Sequence, residues 1–504
     1  MAVPSPTPVA ARPRRPFRPM AVTCAVVGLV GGLCSIAVPA RAQVHDEEPP
    51  SILLIVTDDQ RWDTLWAMPE VRRSLVGPGV TFETAFTTSP LCCPSRASIL
   101  TGGYPHTTGV YTQGLPHGGF GAFDDSTTIA TELDAAGYAT GYFGKYLDSY
   151  QSDALSGYVP PGWDRWVAFV HSQYLDYRLT IDGEIATYGD GPEDYSTDVL
   201  ATQAEAFLRS STGPVFEVFA PAAPHAPALP APGDRTLFED LPPWAPPAFD
   251  EVDRTDKPRH VRAFRRLGDE RIQELEALRR NQYRSLQAVD RAVERLLDAL
   301  ADTGRLDDAL VVFTSDNGLL WGEHRWLKKE VPYEEAIRVP LVVRADAFST
   351  PHVDGHLVAN IDLAATIAEA AGIELPDADG LSLVPLLRGE RVRWRPALLI
   401  EHVRGTNPVP TYCAVRTSRY LFARYATGER ELYDLEADPS QLENAAGRRP
   451  ALTDRLEATL DRLCVPTPPG FERGPAVLPT LLALVTVLGV GVAARAGLRR
   501  RGHG

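Results

Sequence analysis

Five short apolar runs constrain this chain more than any other feature. They are Ile52–Val56, Tyr138–Phe143, Val215–Phe219, Leu310–Phe313 and Leu341–Val343. A strand with one wet face alternates polar and apolar residues. These runs do not alternate, so they predict strands buried on both faces, as in a parallel sheet covered by helices. Helical patterns lie between them. Ile129, Leu133 and Ala136 mark one, stopped by Gly137, and Tyr283, Leu286, Val289, Val293, Leu296 and Leu300 mark a longer one whose stripe reads as core packing. Strand and helix in alternation predict an α/β fold, with a large mixed, mostly parallel sheet sandwiched by helices. From about Pro396 the pattern shifts to shorter alternating strands. Tyr420–Tyr425, a turn at Gly428 and Leu432–Leu435 predict a hairpin in a small C-terminal antiparallel subdomain, followed by a helix near Ala451–Cys464. Pro221–Pro258, rich in proline and aromatics, is expected to be a long ordered loop. No internal repeat is visible.

In open α/β sheets, ligands bind beyond the carboxyl ends of the strands. Here the first run ends in Asp58-Asp59, the second in Gly144-Lys145, the third leads to His225, and the fourth ends in Ser315-Asp316-Asn317-Gly318. Taken singly, each has a bland reading. Asp58-Asp59 suits a turn or cap, Asp316-Asn317-Gly318 a turn, Lys145 an exposed charge, and a proline-flanked His225 a loop residue on backbone. Taken together, they bring carboxylates, an amide, an amine and an imidazole to one rim. Asp58, Asp59, Asp316 and Asn317 are hard oxygen donors of the kind Ca²⁺ takes. An imidazole that titrates near neutrality suits a general acid.

The 504 residues allow one large domain with a smaller one appended. The net charge is −15, and several arginines sit in the terminal tails, so the body is more acidic still. That excludes a nucleic-acid partner, which needs a basic footprint. Arg12, Arg14, Arg15 and Arg18, an apolar stretch from about Met20 to Val38 and Ala40-Arg41-Ala42 predict a signal peptide over 1–42. Arg14-Arg15 also fits a twin-arginine signal. Residues 474–494 carry no charge and precede Arg495, Arg499, Arg500 and Arg501. They predict a transmembrane anchor with a basic cytoplasmic tail over 495–504 and the body exported to the cell surface. Between these ends, 43–390 is expected to form the main domain and 391–468 the antiparallel subdomain. Cys413 and Cys464 either pair in an oxidising compartment or stay as buried thiols.

The run Cys92-Cys93-Pro94-Ser95-Arg96-Ala97-Ser98-Ile99-Leu100-Thr101-Gly102 resembles the C-x-P-S-R-x-x-x-L-T-G signature of type I sulfatases, formylglycine-dependent members of the alkaline phosphatase superfamily. The resemblance implies that a formylglycine-generating enzyme oxidises Cys92 to formylglycine (3-oxoalanine) before folding. The hydrated aldehyde has two hydroxyls, one to attack sulfur and one to expel sulfate afterwards, a release step that a thiol lacks. It further implies one Ca²⁺ on Asp58, Asp59, Asp316, Asn317 and the side chain of residue 92. Arg96, Lys145 and Lys329 would hold the sulfate, Lys329 by its place in Lys329-Glu330-Val331-Pro332-Tyr333-Glu334, which is similar to a K-x-x-x-Y-E segment. His225 would be the general acid, and His324, in Gly322-Glu323-His324-Arg325, is expected on the substrate side or supporting it. Many relatives have a histidine two places after the lysine, where this chain has Leu147. Gly144-Lys145-Tyr146-Leu147 instead looks like N-acetylglucosamine-6-sulfatases and the extracellular heparan endosulfatases. So do Tyr158–Asp164, Leu237–Leu241, Asp256-Lys257-Pro258 and Tyr333–Leu341. With no long basic insert, the expected substrate is a small or terminal sulfated sugar, glucosamine 6-sulfate in type. The alternatives are a phosphonate or phosphate ester hydrolase of the same superfamily, or an unmodified surface binding protein for sulfated sugars.

Overall fold

The computed structural model describes residues 49–471. The predicted signal peptide, transmembrane segment and basic tail lie outside the described residues. Among the described residues no helix is long and apolar enough to cross a membrane.

The main sheet has ten strands. From edge to edge they are His352–Asp354, Val80–Phe82, Leu341–Arg344, Leu310–Ser315, Ile52–Thr57, Val215–Ala220, Ala139–Gly144, Arg165–Phe169, Arg178–Ile181 and Glu184–Thr187. The five from Leu310–Ser315 to Arg165–Phe169 are mutually parallel. Leu341–Arg344 runs antiparallel to both neighbours, and an antiparallel hairpin closes the far edge. Four of the five apolar runs are therefore parallel strands at the centre, each within a residue or two of its expected bounds. Successive side chains alternate between two cores. Ile52, Leu54 and Val56 pack with Phe216, Val218 and Val312 on one face, and Leu53 and Ile55 pack with Val215, Phe219 and Phe313 on the other. The first face is covered by the helix Cys92–Thr101, and the second by Ser196–Ser210 and the 34-residue helix Asp269–Asp302. With apolar surface buried on both sides, these strands have no solvent face, which explains the missing alternation.

The C-terminal sheet orders Ala397–His402, Tyr412–Thr417, Tyr420–Tyr425 and Arg430–Asp434 as an antiparallel meander. Leu398, Ile400, Ala414 and Leu421 face the body, against Phe86, Trp326 and Tyr333, while Leu399, Val415 and Phe422 face the helix Pro450–Leu463. A Cys413–Cys464 disulfide joins that helix to the sheet, which decides between the two thiol readings. Pro221–Pro258 holds one short 3-10 turn, Pro232–Asp234.

Candidate active site

Backbone pairing continues past the strand ends and holds the rim in register. Asp58 donates to the carbonyl of Ala223 at 3.1 Å, Asp316 to that of Thr57 at 3.1 Å, and Lys145 to that of Ala220 at 2.7 Å. Gly144 is required at its corner. Its φ is +130°, and a Cβ there would lie 1.9 Å from the Ala220 carbonyl oxygen. Asp59 sits at φ 65°, left-handed for a non-glycine residue, and this bend keeps both consecutive carboxylates buried at the same rim.

Cys92 opens the helix Cys92–Thr101, and Arg96, four residues on, shares its face. Around the buried Cys92 Sγ stand Lys329 Nζ at 2.7 Å, Asp58 Oδ1 at 3.6 Å and Gln113 Nε2 at 3.7 Å. Lys145 donates to Asp58 Oδ2 at 2.6 Å. Lys329 donates to Asp59 and, at 3.2 Å, to Asn317 Oδ1. Arg96 Nε pairs with Asp316 Oδ2 at 2.8 Å and its Nη1 donates to the Lys145 carbonyl at 2.7 Å, while its buried Nη2 has no hydrogen-bond partner among the described residues.

The electrostatics follow from this crowding. Burial favours the neutral acids, yet Lys145 and then His225 outweigh it at Asp58 and bring its carboxyl down to about 2. At Asp59, Lys329 and His225 likewise overcome burial and lower the carboxyl. The Asp58 carboxylate holds the Lys145 ammonium, and that of Asp59 the Lys329 ammonium, against a burial cost that would deprotonate them. Burial dominates at Cys92 and, despite the two lysines, pushes its thiol up to about 12. A thiol in that state is no thiolate nucleophile at neutral pH.

His225 lies at the mouth, with 43% of its side chain exposed and Nε2 3.7 Å from Asp59 Oδ2. Its Nδ1 is 2.7 Å from the Ala226 carbonyl, an acceptor that fixes Nδ1 as a proton donor. Nε2 is therefore the nitrogen left to carry a proton outward. Tyr174 donates its hydroxyl to the His225 carbonyl at 2.7 Å and steadies that loop. The mouth opens into a cavity of about 300 Å³ shared by Asp58, Gln113, Lys145, His171, Tyr174 and His225.

The structure thus gathers Asp58, Asp59, Cys92, Arg96, Lys145, His225, Asp316, Asn317 and Lys329 into one cluster. His324 is not brought to it. It is wholly buried, with Nδ1 2.7 Å from Glu251 Oε2 and its ring on Tyr333, and burial lowers its pKa to about 3. Sequence reasoning missed Gln113 and His171. Both lie on irregular segments with no strand end to mark them, so nothing in the local pattern gives them away.

The donor set suits a hard cation. One side-chain atom each from Asp58, Asp316 and residue 92 lies within 4.8 Å of the others, and so does one each from Asp58, Asp59 and His225. The Lys329 ammonium already rests on Asp59, Asn317 and Cys92, which shows that the pocket favours positive charge.

The Sulfatase profile matches residues 50–373, and that of the N-sulphoglucosamine sulphohydrolase C-terminal region matches 322–464. The chain belongs to the sulfatase family. Sulfatases hydrolyse sulfate esters. The chain is 34% identical to human N-acetylglucosamine-6-sulfatase over 79% of this chain and 81% of that protein. It is 36% identical to the extracellular sulfatase SULF-1 homolog of Drosophila melanogaster over 70% of this chain, a match that spans a third of that longer relative (33%). A solved structure of a protein in complex with its substrate D-glucosamine-2-N,6-O-disulfate superposes with a TM-score of 0.74 at 24% identity, covering 83% of this chain and 98% of that one. This likeness shows that the fold is shared with that protein.

Proposed function

We propose that this sulfatase hydrolyses a sugar 6-O-sulfate of the N-acetylglucosamine-6-sulfate type, small or terminal on its chain, with residue 92 acting as formylglycine. The observation that carries the reading is the cluster itself. A buried residue 92 is met by Lys329 and Asp58, and beside it are Lys145 and an Arg96 whose Nη2 has no hydrogen-bond partner among the described residues. A thiol held up at about 12 is chemically idle, so the cluster makes sense around an oxidised residue 92.

Asp58, Asp59, Asp316, Asn317 and the oxygen of residue 92 would hold one Ca²⁺. When bound, the ion supplies Lewis acidity to the sulfate and to the nucleophile. The protein's own groups do the rest. Lys145, Lys329 and the Arg96 Nη2 bind the sulfate oxygens and meet the charge that grows on them as the ester bond breaks. His225 Nε2 delivers the proton that the leaving sugar oxygen needs, since an unprotonated alkoxide is a poor leaving group. His171, Gln113 and Tyr174 border the space open to the sugar. His324, away from the cavity, supports the Tyr333 segment from behind.

The reading extends to the ends of the chain. We take 1–42 as a signal peptide, 43–390 and 391–468 as catalytic and antiparallel parts, and 474–494 as a membrane anchor with the catalytic body outside the cell. Rates with an N-acetylglucosamine 6-sulfate monosaccharide, an aryl sulfate and an aryl phosphodiester test the assignment. The sulfated sugar should be turned over fastest, and Cys92→Ala should abolish release without unfolding the protein. Preference for the phosphodiester would transfer the chain to the ester-hydrolase alternative.

A further inference from the structure

The last of the five parallel strands, Arg165–Phe169, also ends at the rim, and the chain continues through His171 and Gln173 into the edge hairpin Arg178–Ile181 and Glu184–Thr187. Backbone pairing fixes this connection. Val170 donates to the Arg178 carbonyl at 3.0 Å, Asp176 to that of Gly189 at 2.8 Å and Tyr188 to that of Tyr177 at 2.9 Å. A second cavity, of about 330 Å³, is lined here by His171, Gln173, Tyr177, Arg178, Thr187 and Tyr188. His171 and Gln173 also line the active-site cavity, so the two spaces share a wall.

We propose that this second cavity receives the neighbouring sugar ring of the substrate, one bearing an anionic substituent, while the terminal sulfated ring lies in the active-site cavity. The inference rests on the sugar 6-O-sulfate reading given above. Arg178 supplies the charge. It is exposed, and its side chain makes no ion pair or hydrogen bond among the described residues. A guanidinium fork left open in this way matches a carboxylate or a sulfate with two parallel hydrogen bonds. Arg178 and Thr187 are cross-strand partners, so both side chains stand on the same face of the hairpin.

The rest of the lining suits a pyranose. Tyr177 and Tyr188 stack with ring centroids 5.0 Å apart and planes 9° from parallel, a flat apolar wall for the C–H face of a sugar. Tyr177 is buried, and its hydroxyl has no hydrogen-bond partner among the described residues, a polar group that a ligand hydroxyl can satisfy. His171, Gln173 and Thr187 offer donors and acceptors for further hydroxyls. Asp176 also borders the cavity and accepts from sugar hydroxyls. Its carboxylate partly offsets Arg178, which favours a singly charged ring over a polyanion.

The test measures kcat and KM for wild type, Arg178→Ala and Tyr188→Ala. The substrates are the N-acetylglucosamine 6-sulfate monosaccharide and disaccharides that carry it at the terminus, with a second ring that is neutral, carboxylated or sulfated. In wild type the better acidic disaccharide should show a KM roughly tenfold below that of the monosaccharide, the weight of a hydrogen bond to a charged group, and its identity names the anion. Arg178→Ala should erase the advantage of acidic over neutral second rings. Tyr188→Ala should raise KM for every disaccharide. Neither should alter kcat or KM for the monosaccharide, which also certifies their fold. Equal KM values for monosaccharide and acidic disaccharides in wild type, or an Arg178→Ala variant that leaves the acidic advantage in place, would overturn the subsite and leave the sulfated-sugar reading intact. If no 6-sulfated sugar is turned over, both fall together.

Discussion

Glu217→Leu should stabilise this protein, and the gain should grow with pH. Glu217 lies in the central strand Val215–Ala220, fully buried, on the face that also carries Val215 and Phe219. Neither carboxyl oxygen has a hydrogen-bond partner among the described residues, and burial alone pushes its pKa well above the carboxylate range. The folded state therefore keeps a proton that the unfolded state releases near pH 4.3. A raised folded-state value means that the group's contribution is fully present below the unfolded pKa and is lost as pH rises toward the folded one. Across that window wild type loses about 1.4 kcal/mol per pH unit relative to a non-ionising side chain. Leucine adds a pH-independent gain of about 1–3 kcal/mol by removing unsatisfied polar atoms. Urea midpoints of both proteins at pH 5, 6 and 7 measure this, because all other titrations cancel in the difference. A constant difference across the series, or a loss of stability in the variant, would refute the reasoning.

Other outcomes follow from the same geometry. Lys329→Ala should lower kcat by ~10²–10³, the usual cost of one preorganised donor to a developing oxyanion, with secondary structure unchanged by circular dichroism. His225→Ala should cost ~10²–10⁴ with sugar sulfates, and much less with an aryl sulfate whose leaving group needs no proton, as paired rate measurements would show. Exhaustive dialysis against EGTA should abolish turnover, and Ca²⁺ should restore it. Replacing Cys413 and Cys464 by alanine should cost about 4 kcal/mol in denaturant titration, since the bridge closes a loop of sequence separation 51.

The central sheet was legible because strands buried on both faces have to spell themselves as unbroken apolar runs. The site was legible to the extent that it hangs on the ends of those strands. Asp58, Lys145 and Asp316 each directly follow a strand, two or three residues past its apolar run, and backbone pairing carries the register into them. Lys329, which lies on no strand, was found through the spacing to Tyr333-Glu334. His324 shows the limit of such spelling. Its segment resembles relatives, but the ring turns inward to Glu251 and Tyr333. Gln113 and His171 reach the cavity from irregular loops, whose paths depend on contacts made across the whole molecule. The edge hairpin Arg178–Ile181 and Glu184–Thr187 was missed because both strands are only four residues long and the second is largely exposed.

The central claim is that residue 92 works as an aldehyde hydrate rather than a thiol. The direct measurement is the mass of the peptide carrying residue 92, from protein made in a host that has the oxidising enzyme. The account predicts that sulfur and two hydrogens have been replaced by one oxygen, in proportion to specific activity across preparations. A fully active preparation whose peptide retains the unmodified cysteine would contradict it.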